Sequence, residues 1–143
     1  MNAGTYNEHT VYPVCSRNEK DFYNLISVYL DAVFNPIIYD DERVFLQEGH
    51  HMRIIDGKLE NTGVVLNEMR GVYSDPDNVA ACKVKSHIFR KGCMHHDSGG
   101  DPSEIVKLTY EDFKKYHSEY YTTDNATAVI ISHYDILTEL KLL

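Results

Sequence analysis

The first patterned stretch is residues 5–14, where Thr5, Tyr6, Thr10, Val11, Tyr12 and Val14 surround a turn-like Asn7-Glu8. β-Branched and aromatic residues about a turn predict two short extended pieces, and Pro13, lacking an N–H, ends the second or leaves it at an edge. The period then becomes helical. Ser16 and Glu19 have capping-box spacing, Phe22, Leu25, Ile26, Tyr29 and Val33 follow on one face, and Asn35-Pro36 stops the run. Asp40, Asp41 and Glu42 open a short helix through Leu46. Residues 51–55 and 58–60 then flank Asp56-Gly57, a pair suited to the positive φ angles of a tight hairpin.

Further along, Val64, Val65, Leu66, Met69 and Val72 fit a buried helix that carries Asn67, Glu68 and Arg70 on its other positions. Ser74-Asp75-Pro76 ends it and starts the next, with Asp75 as N-cap, Pro76 at the first helical position, and Ala80, Ala81, Val84 and Ile88 inward as far as about Phe89. Residues 92–102 have the small and turn-forming side chains of an ordered loop. Thr109 and Asp112 form a second capping-box pair, with Leu108 and Phe113 as a staple and Phe113, Tyr116, His117 and Tyr120 along the apolar side. Residues 126–131 read as a buried strand and residues 135–143 as a last helix. The sum is an α+β chain with helices packed on a mainly antiparallel sheet, whose sequence-distant strands must pair through the fold. No repeat or linker divides residues 1–143, so they read as a single domain.

Composition agrees with a globular class: 143 residues, 43% hydrophobic and 25% charged, are enough for a core and exclude compositional disorder. The net charge of −8 is spread along the chain, and the nearest basic group, Lys83, Lys85, Arg90 and Lys91, is a short solvated face, so nucleic-acid partners are not expected. No apolar run approaches the ~20 residues of a membrane span, so no membrane partner is expected. Residues 1–7 lack the basic and apolar regions of a secretory signal, and no address is legible. Three cysteines, Cys15, Cys82 and Cys93, leave at least one unpaired and read as reduced thiols.

The chemistry is harder to place. His50-His51 and His95-His96 are adjacent pairs, whose side chains diverge on a helix or strand, and neither His-Glu-x-x-His nor its inverted form His-x-x-Glu-His occurs. Cys82, His87, Cys93, His95 and His96 lack the Cys-x₂₋₄-Cys spacing of structural zinc sites, which favours packing and loop roles. No Gly-x-Ser-x-Gly elbow or phosphate-cradling loop is present. Glu68 stands out in Val-Val-Leu-Asn-Glu-Met, because a carboxylate there is costly to bury without a cation or donors. The residues alone favour a solvent-facing Glu.

A set of strings changes that weighting. They are residues 1–5 (Met-Asn-Ala-Gly-Thr), 9–14, 16–25 and 29–34, then Gln47-Glu48-Gly49-His50, residues 63–69 with Asn67-Glu68-Met69, Gly71-Val72-Tyr73-Ser74, residues 97–102 and Leu108-Thr109. In this order, over nearly the whole chain, the sequence resembles the pitrilysin/insulinase-type metallopeptidases, specifically the presequence protease and falcilysin branch. The resemblance implies a zinc ion held by two His of the inverted motif and by a later Glu, whose place is taken by Glu68. The motif's own Glu activates water in that family. Asn2, Ala3, Gly4 and Thr5 fall where the family has a substrate-binding edge strand; Asn2 would position the peptide, Ala3 and Thr5 would offer backbone groups, and Gly4 stands where a bulky side chain is common. The inverted motif lies upstream of that strand in the family. On that basis the chain is expected to be the later part of a first peptidase domain, inactive alone, from a parent that degrades short unstructured peptides such as cleaved targeting peptides. Its expected partners are peptide substrates and either the missing peptidase segments or a second copy. A non-catalytic peptide- or partner-binding module is the competing class.

Overall fold

A computed structural model describes residues 2–143; Met1, which begins the first resembling string, lies outside them. The architecture is α+β, with seven helices and two small antiparallel sheets among the described residues. β1 (Gly4–Thr5) pairs with β2 (Thr10–Val11), Gly4 opposite Val11 and Thr5 opposite Thr10. β3 (His51–Ile55) pairs with β4 (Lys58–Thr62) from His51↔Thr62 to Ile55↔Lys58. Both pairings are local hairpins, so the expected pairing of sequence-distant strands in one sheet does not occur among the described residues. The second turn has the expected left-handed pair, with φ of 50° at Asp56 and 78° at Gly57.

The helices are α1 (Glu19–Phe34), α2 (Glu42–Glu48), α3 (Val64–Val72), α4 (Pro76–Ile88), α5 (Pro102–Ile105), α6 (Tyr110–Tyr120) and α7 (Ile136–Leu140). Their starts follow the capping chemistry closely. Asp41, Asp75, Asp101 and Asp135 each accept a backbone N–H of the first turn, and Thr109 with Asp112 forms the reciprocal box. At α1 the cap is Asn18, accepting from Asp21 N at 3.0 Å, rather than Ser16, whose hydroxyl instead meets the Asn18 N–H at 3.1 Å. Four of these carboxylates sit below their ordinary value of 3.8. The largest cause is a side-chain donor, the Arg43 guanidinium for Asp41 and the hydroxyls of Ser103, Thr109 and Thr138 for Asp101, Asp112 and Asp135. A depressed folded value means that this stabilisation is complete above the unfolded value and is lost as pH falls through the folded one. Helical far-UV dichroism should therefore hold down to about pH 4 and fall below it; a signal flat to pH 2 would contradict that account.

A cluster of buried apolar side chains joins α3 to α5. Leu66, Met69 and Ile105 bury together, with Tyr73 and Val106 against them. Leu66 and Met69 are three residues apart on one helical face, as the apolar pattern requires. Two close approaches hold α3 in place. A Cβ at Gly63 would meet the Gly49 carbonyl oxygen at 2.1 Å, so the end of α2 and the start of α3 touch backbone to backbone. A Cβ at Gly99 would meet Met69 Sδ at 2.4 Å, so the loop of residues 92–101 lies directly on the α3 core face.

A second, polar cluster ties α1 to α6. His117 is buried, its Nε2 2.8 Å from Val33 O and its Nδ1 2.8 Å from Tyr39 Oη, while its ring stacks on Tyr121 at 4.5 Å. Tyr121 Oη meets Tyr12 Oη at 3.0 Å, and burial followed by that contact pushes the Tyr12 phenol upward. His117 is thus a core residue with both ring nitrogens engaged.

Three expectations of burial fail. Val64, Val65 and Val72 on α3 are exposed, as are all four residues expected inward on α4, Ala80, Ala81, Val84 and Ile88, and residues 126–131 form no strand, with Val129 79% and Ile131 90% exposed. The chain exposes 10875 Å². A compact monomer of 16.5 kDa exposes about 7,600 Å², so roughly 3,300 Å² lies uncovered. The apolar pattern of these segments is written for a larger packing partner than the chain supplies. No helix among the described residues is long and apolar enough to cross a membrane.

Candidate functional site

The first candidate group, Asn2, Ala3, Gly4 and Thr5, lies together on one strand edge. Among the described residues β1 is paired on one side only, and no described strand lies on its other backbone edge. Asn2 and Ala3 are exposed, and the Asn2 N–H donates to Tyr29 Oη of α1 at 3.0 Å. At the turn the Tyr6 N–H donates to His9 O at 2.9 Å and the two rings stack at 4.9 Å. A Cβ at Gly4 would lie 3.3 Å from Val11 Cγ2 and 3.4 Å from Tyr6 Cε2, so Tyr6 and Val11 already occupy the space that a larger side chain there would seek. An open antiparallel edge of this kind can accept an extended peptide through main-chain hydrogen bonds.

The turn is clamped across a long sequence separation. Asn7 Nδ2 donates to Cys93 O at 3.1 Å and His96 O at 2.8 Å. In the sequence Asn7 carries only the signature of a turn residue. The same loop then reaches α3 through Gly99 on Met69, so residues 92–101 bridge the strand edge and the helix that carries the second candidate. Within the loop, Asp97 Oδ1 accepts from the Gly99 N–H at 2.9 Å and its Oδ2 accepts from the Cys82 thiol at 3.1 Å. Asp97, which the sequence reading did not single out as a functional side chain, therefore holds the loop's shape and pins it to α4.

Glu68 occupies the face of α3 opposite Leu66 and Met69. It is exposed, and no hydrogen bond or ion pair joins its carboxylate to another described residue, Asn2, Ala3, Gly4 and Thr5 included. One turn either side along the helix stand Val64 and Val72, 51% and 36% exposed, with Val65 beside them. A solvated helix face normally carries charges around such a Glu. Here the carboxylate stands in a stripe of exposed valines.

The five residues weighed for a structural zinc site do not converge. The Cys82 thiol engages Asp97, the Cys93 thiol lies 3.8 Å from Glu8 Oε1, His87 Nδ1 is 2.7 Å from Lys83 O, and His95 Nδ1 is 2.9 Å from Phe89 O. Among the described residues no group of three or more His, Cys, Asp and Glu could hold a metal ion. The hydrogen bond to Asp97, then burial, pushes the Cys82 thiol upward. Cys15 and Cys93 are exposed. Because the thiolate is the reactive form, an alkylating reagent at neutral pH should modify Cys15 and Cys93 first and Cys82 only slowly, with the difference vanishing in denaturant. Equal rates in the native chain, read by peptide mass mapping, would contradict the Cys82–Asp97 contact.

No family model matches the chain. It is 46% identical over 143 residues to "Protein HypA" of Clostridium perfringens, covering 99% of the chain and 15% of that protein. It is 45% identical over 145 residues to "Presequence protease 1, chloroplastic/mitochondrial" of Arabidopsis thaliana, covering 100% of the chain and 13% of that protein. It is 41% identical over 149 residues to "Presequence protease, mitochondrial" of Drosophila melanogaster, covering 100% of the chain and 14% of that protein. The chain therefore spans about one-seventh of the length of these relatives.

Proposed function

Because the chain is homologous over nearly its whole length to one segment of the presequence proteases, peptidases of the pitrilysin/insulinase type, we propose that it belongs to a zinc metalloendopeptidase that degrades short unstructured peptides such as cleaved targeting peptides. In this reading the free edge of β1, with Asn2, Ala3, Gly4 and Thr5, receives an extended peptide, and Glu68 contributes one carboxylate to the zinc. A hydrolytic zinc takes three protein ligands and keeps a further position open. The chain's own residues do not fit a complete zinc site, since no such group forms among the described residues. The two remaining ligands and the general base belong to other peptidase segments, and no hydrolytic step is assigned to this chain.

The observation that carries the reading is the stripe of Val64, Glu68 and Val72. Its valines favour cover by further polypeptide, and a carboxylate within a covered apolar face needs a cation or donors. Both requirements are met if the rest of a peptidase packs over α3 and brings a metal to Glu68. The exposed area of the chain, well above that of a compact monomer of its mass, supports the same partnership with further peptidase segments.

A non-catalytic module that binds peptides along β1 is the second reading, favoured by the open backbone edge, which needs no metal. Peptide hydrolysis and zinc content of the purified chain separate the two from each other and from an autonomous enzyme. The expected result is no turnover and zinc well below one per chain. Turnover with stoichiometric zinc would refute the partial-site reading. Metal-independent peptide binding that protects the amides of β1 would favour the second.

A further inference from the structure

β1 and β2 share only two residue pairs, Gly4↔Val11 and Thr5↔Thr10, and a two-stranded ribbon of that length is marginal at best in water. Its shape and place therefore depend on contacts outside the ladder. At the turn the Tyr6 N–H donates to His9 O at 2.9 Å, which makes Tyr6 and His9 a hydrogen-bonded pair. Antiparallel pairs alternate, so Gly4 and Val11 also bond inward, and Thr5 turns its N–H and C=O to the side away from β2. These are the groups that an added peptide strand would use, and they are only as ordered as the hairpin that carries them.

Two contacts fix the hairpin to the rest of the chain. At its start the Asn2 N–H donates to Tyr29 Oη of α1 at 3.0 Å. At the turn both donors of Asn7 Nδ2 are engaged, on Cys93 O at 3.1 Å and on His96 O at 2.8 Å, residues 86 and 89 positions away. The receiving carbonyls sit on a braced segment. Cys93–His95 forms a 3₁₀ turn tied to the end of α4 by His95 Nδ1 on Phe89 O at 2.9 Å, and Asp97 and Gly99 join the next residues to Cys82 of α4 and Met69 of α3. A turn residue needed only for its backbone would leave its side chain in water. Asn7 instead commits its whole amide group to a distant loop.

We infer that Asn7 is a positioning residue for peptide recognition: by clamping the β1–β2 turn to residues 93–96 it holds the outward backbone groups of Thr5 in line for an extended peptide, without touching that peptide. The inference rests on the reading of β1 as the peptide edge, which the peptidase and the non-catalytic module share. A hairpin freed at its turn has to be ordered by the peptide that binds it, and that cost appears as weaker binding. Asn7→Asp keeps the size of the side chain, removes both donors and sets a carboxylate against two carbonyl oxygens. Asn7→Ala removes the donors alone.

Amide hydrogen exchange of these two variants tests the clamp in the present chain. The amides of Gly4, Tyr6 and Val11 should exchange about tenfold faster or more, the Asp variant leading, as expected for two lost hydrogen bonds. Those of Leu66 and Met69 in the α3 core should keep their rates. Unchanged exchange in the hairpin overturns the inference, and so does acceleration that spreads equally to α3, which would make Asn7 a general support of the fold. In a longer peptidase containing this segment, hydrolysis of an internally quenched fluorescent decapeptide tests recognition. Asn7→Asp should raise KM about tenfold with kcat within about twofold, the pattern of lost uniform binding. No change, or a loss confined to kcat, overturns the inference. Thr5→Pro deletes the outward donor and no ladder bond, so it tests the peptide edge itself. If it leaves KM unaltered, β1 is not the peptide edge and the inference falls with that reading. If it raises KM while Asn7→Asp does not, the edge stands and only the role given to Asn7 is lost.

Discussion

Leu66→Ala is expected to lower the unfolding free energy by about 2–5 kcal/mol, the largest stability effect of any single side chain here. Leu66 is 0% exposed and is the only side chain among the described residues that reaches full burial at its size. Removing its branched end leaves a cavity between Met69 and Ile105, and the walls have little freedom to close it. Met69 is already pressed by the Gly99 backbone, and the start of α3 is fixed where Gly63 meets Gly49. The total stability of a small domain is about 5–15 kcal/mol, and a chain with this little core belongs at the low end of that range. The variant should therefore be mostly unfolded or nearly so at room temperature. Urea denaturation followed by far-UV dichroism measures the change, with Val64→Ala on the exposed face of the same helix as the comparison, expected within about 0.5 kcal/mol. A loss below about 1 kcal/mol at Leu66 would mean that the α3–α5 contact does not hold the fold together.

Glu68→Gln in a longer peptidase containing this segment should reduce bound zinc and peptide turnover by more than about 100-fold, since even an outer-shell partner of a metal ligand costs 10–100-fold. Gln keeps the size and the helix propensity of Glu and removes only the charge, so the fold should be retained. The same change in the present chain should shift stability by less than about 0.5 kcal/mol, because the side chain is exposed and unpartnered. That contrast separates a ligand from a structural carboxylate. Normal metal content and turnover in the longer protein would remove Glu68 from the proposed zinc set and leave the β1 edge as the remaining candidate.

Most of the element boundaries were legible because they rest on local chemistry. Asp41, Asp75 and Asp135, with the reciprocal pair of Thr109 and Asp112, cap where short-range pattern places them, and Asp56-Gly57 makes the hairpin turn that its φ preferences dictate. At α1 the same reasoning chose Ser16 over Asn18, two residues away, because several good caps stood side by side and only the backbone path decides which one faces the first turn. The strand identity of Asn2, Ala3, Gly4 and Thr5 was legible as a resemblance, and β1 occupies the last two of them. What was not legible were the contacts that cross the chain. Asn7 on the carbonyls of Cys93 and His96, His117 between Val33 and Tyr39, and Cys82 on Asp97 join residues whose local surroundings contain no trace of each other.

Burial was the least transferable expectation. The valines of α3, Val84 and Ile88 of α4, and Val129 and Ile131 have patterns suited to an interior, but all stand exposed. An apolar period records that a face has a partner somewhere, and it does not record whether that partner lies on the same polypeptide. By itself, then, the sequence determined where helices start and stop, the class of fold and the kinship with presequence proteases, because caps, turns and motif strings act over a few residues. Only the tertiary structure decided which faces are covered, that Glu68 stands unpaired among valines, and that residues 126–131 form no strand. Those outcomes depend on which surfaces meet in space, a non-local competition between buried area and chain connectivity that local pattern does not encode.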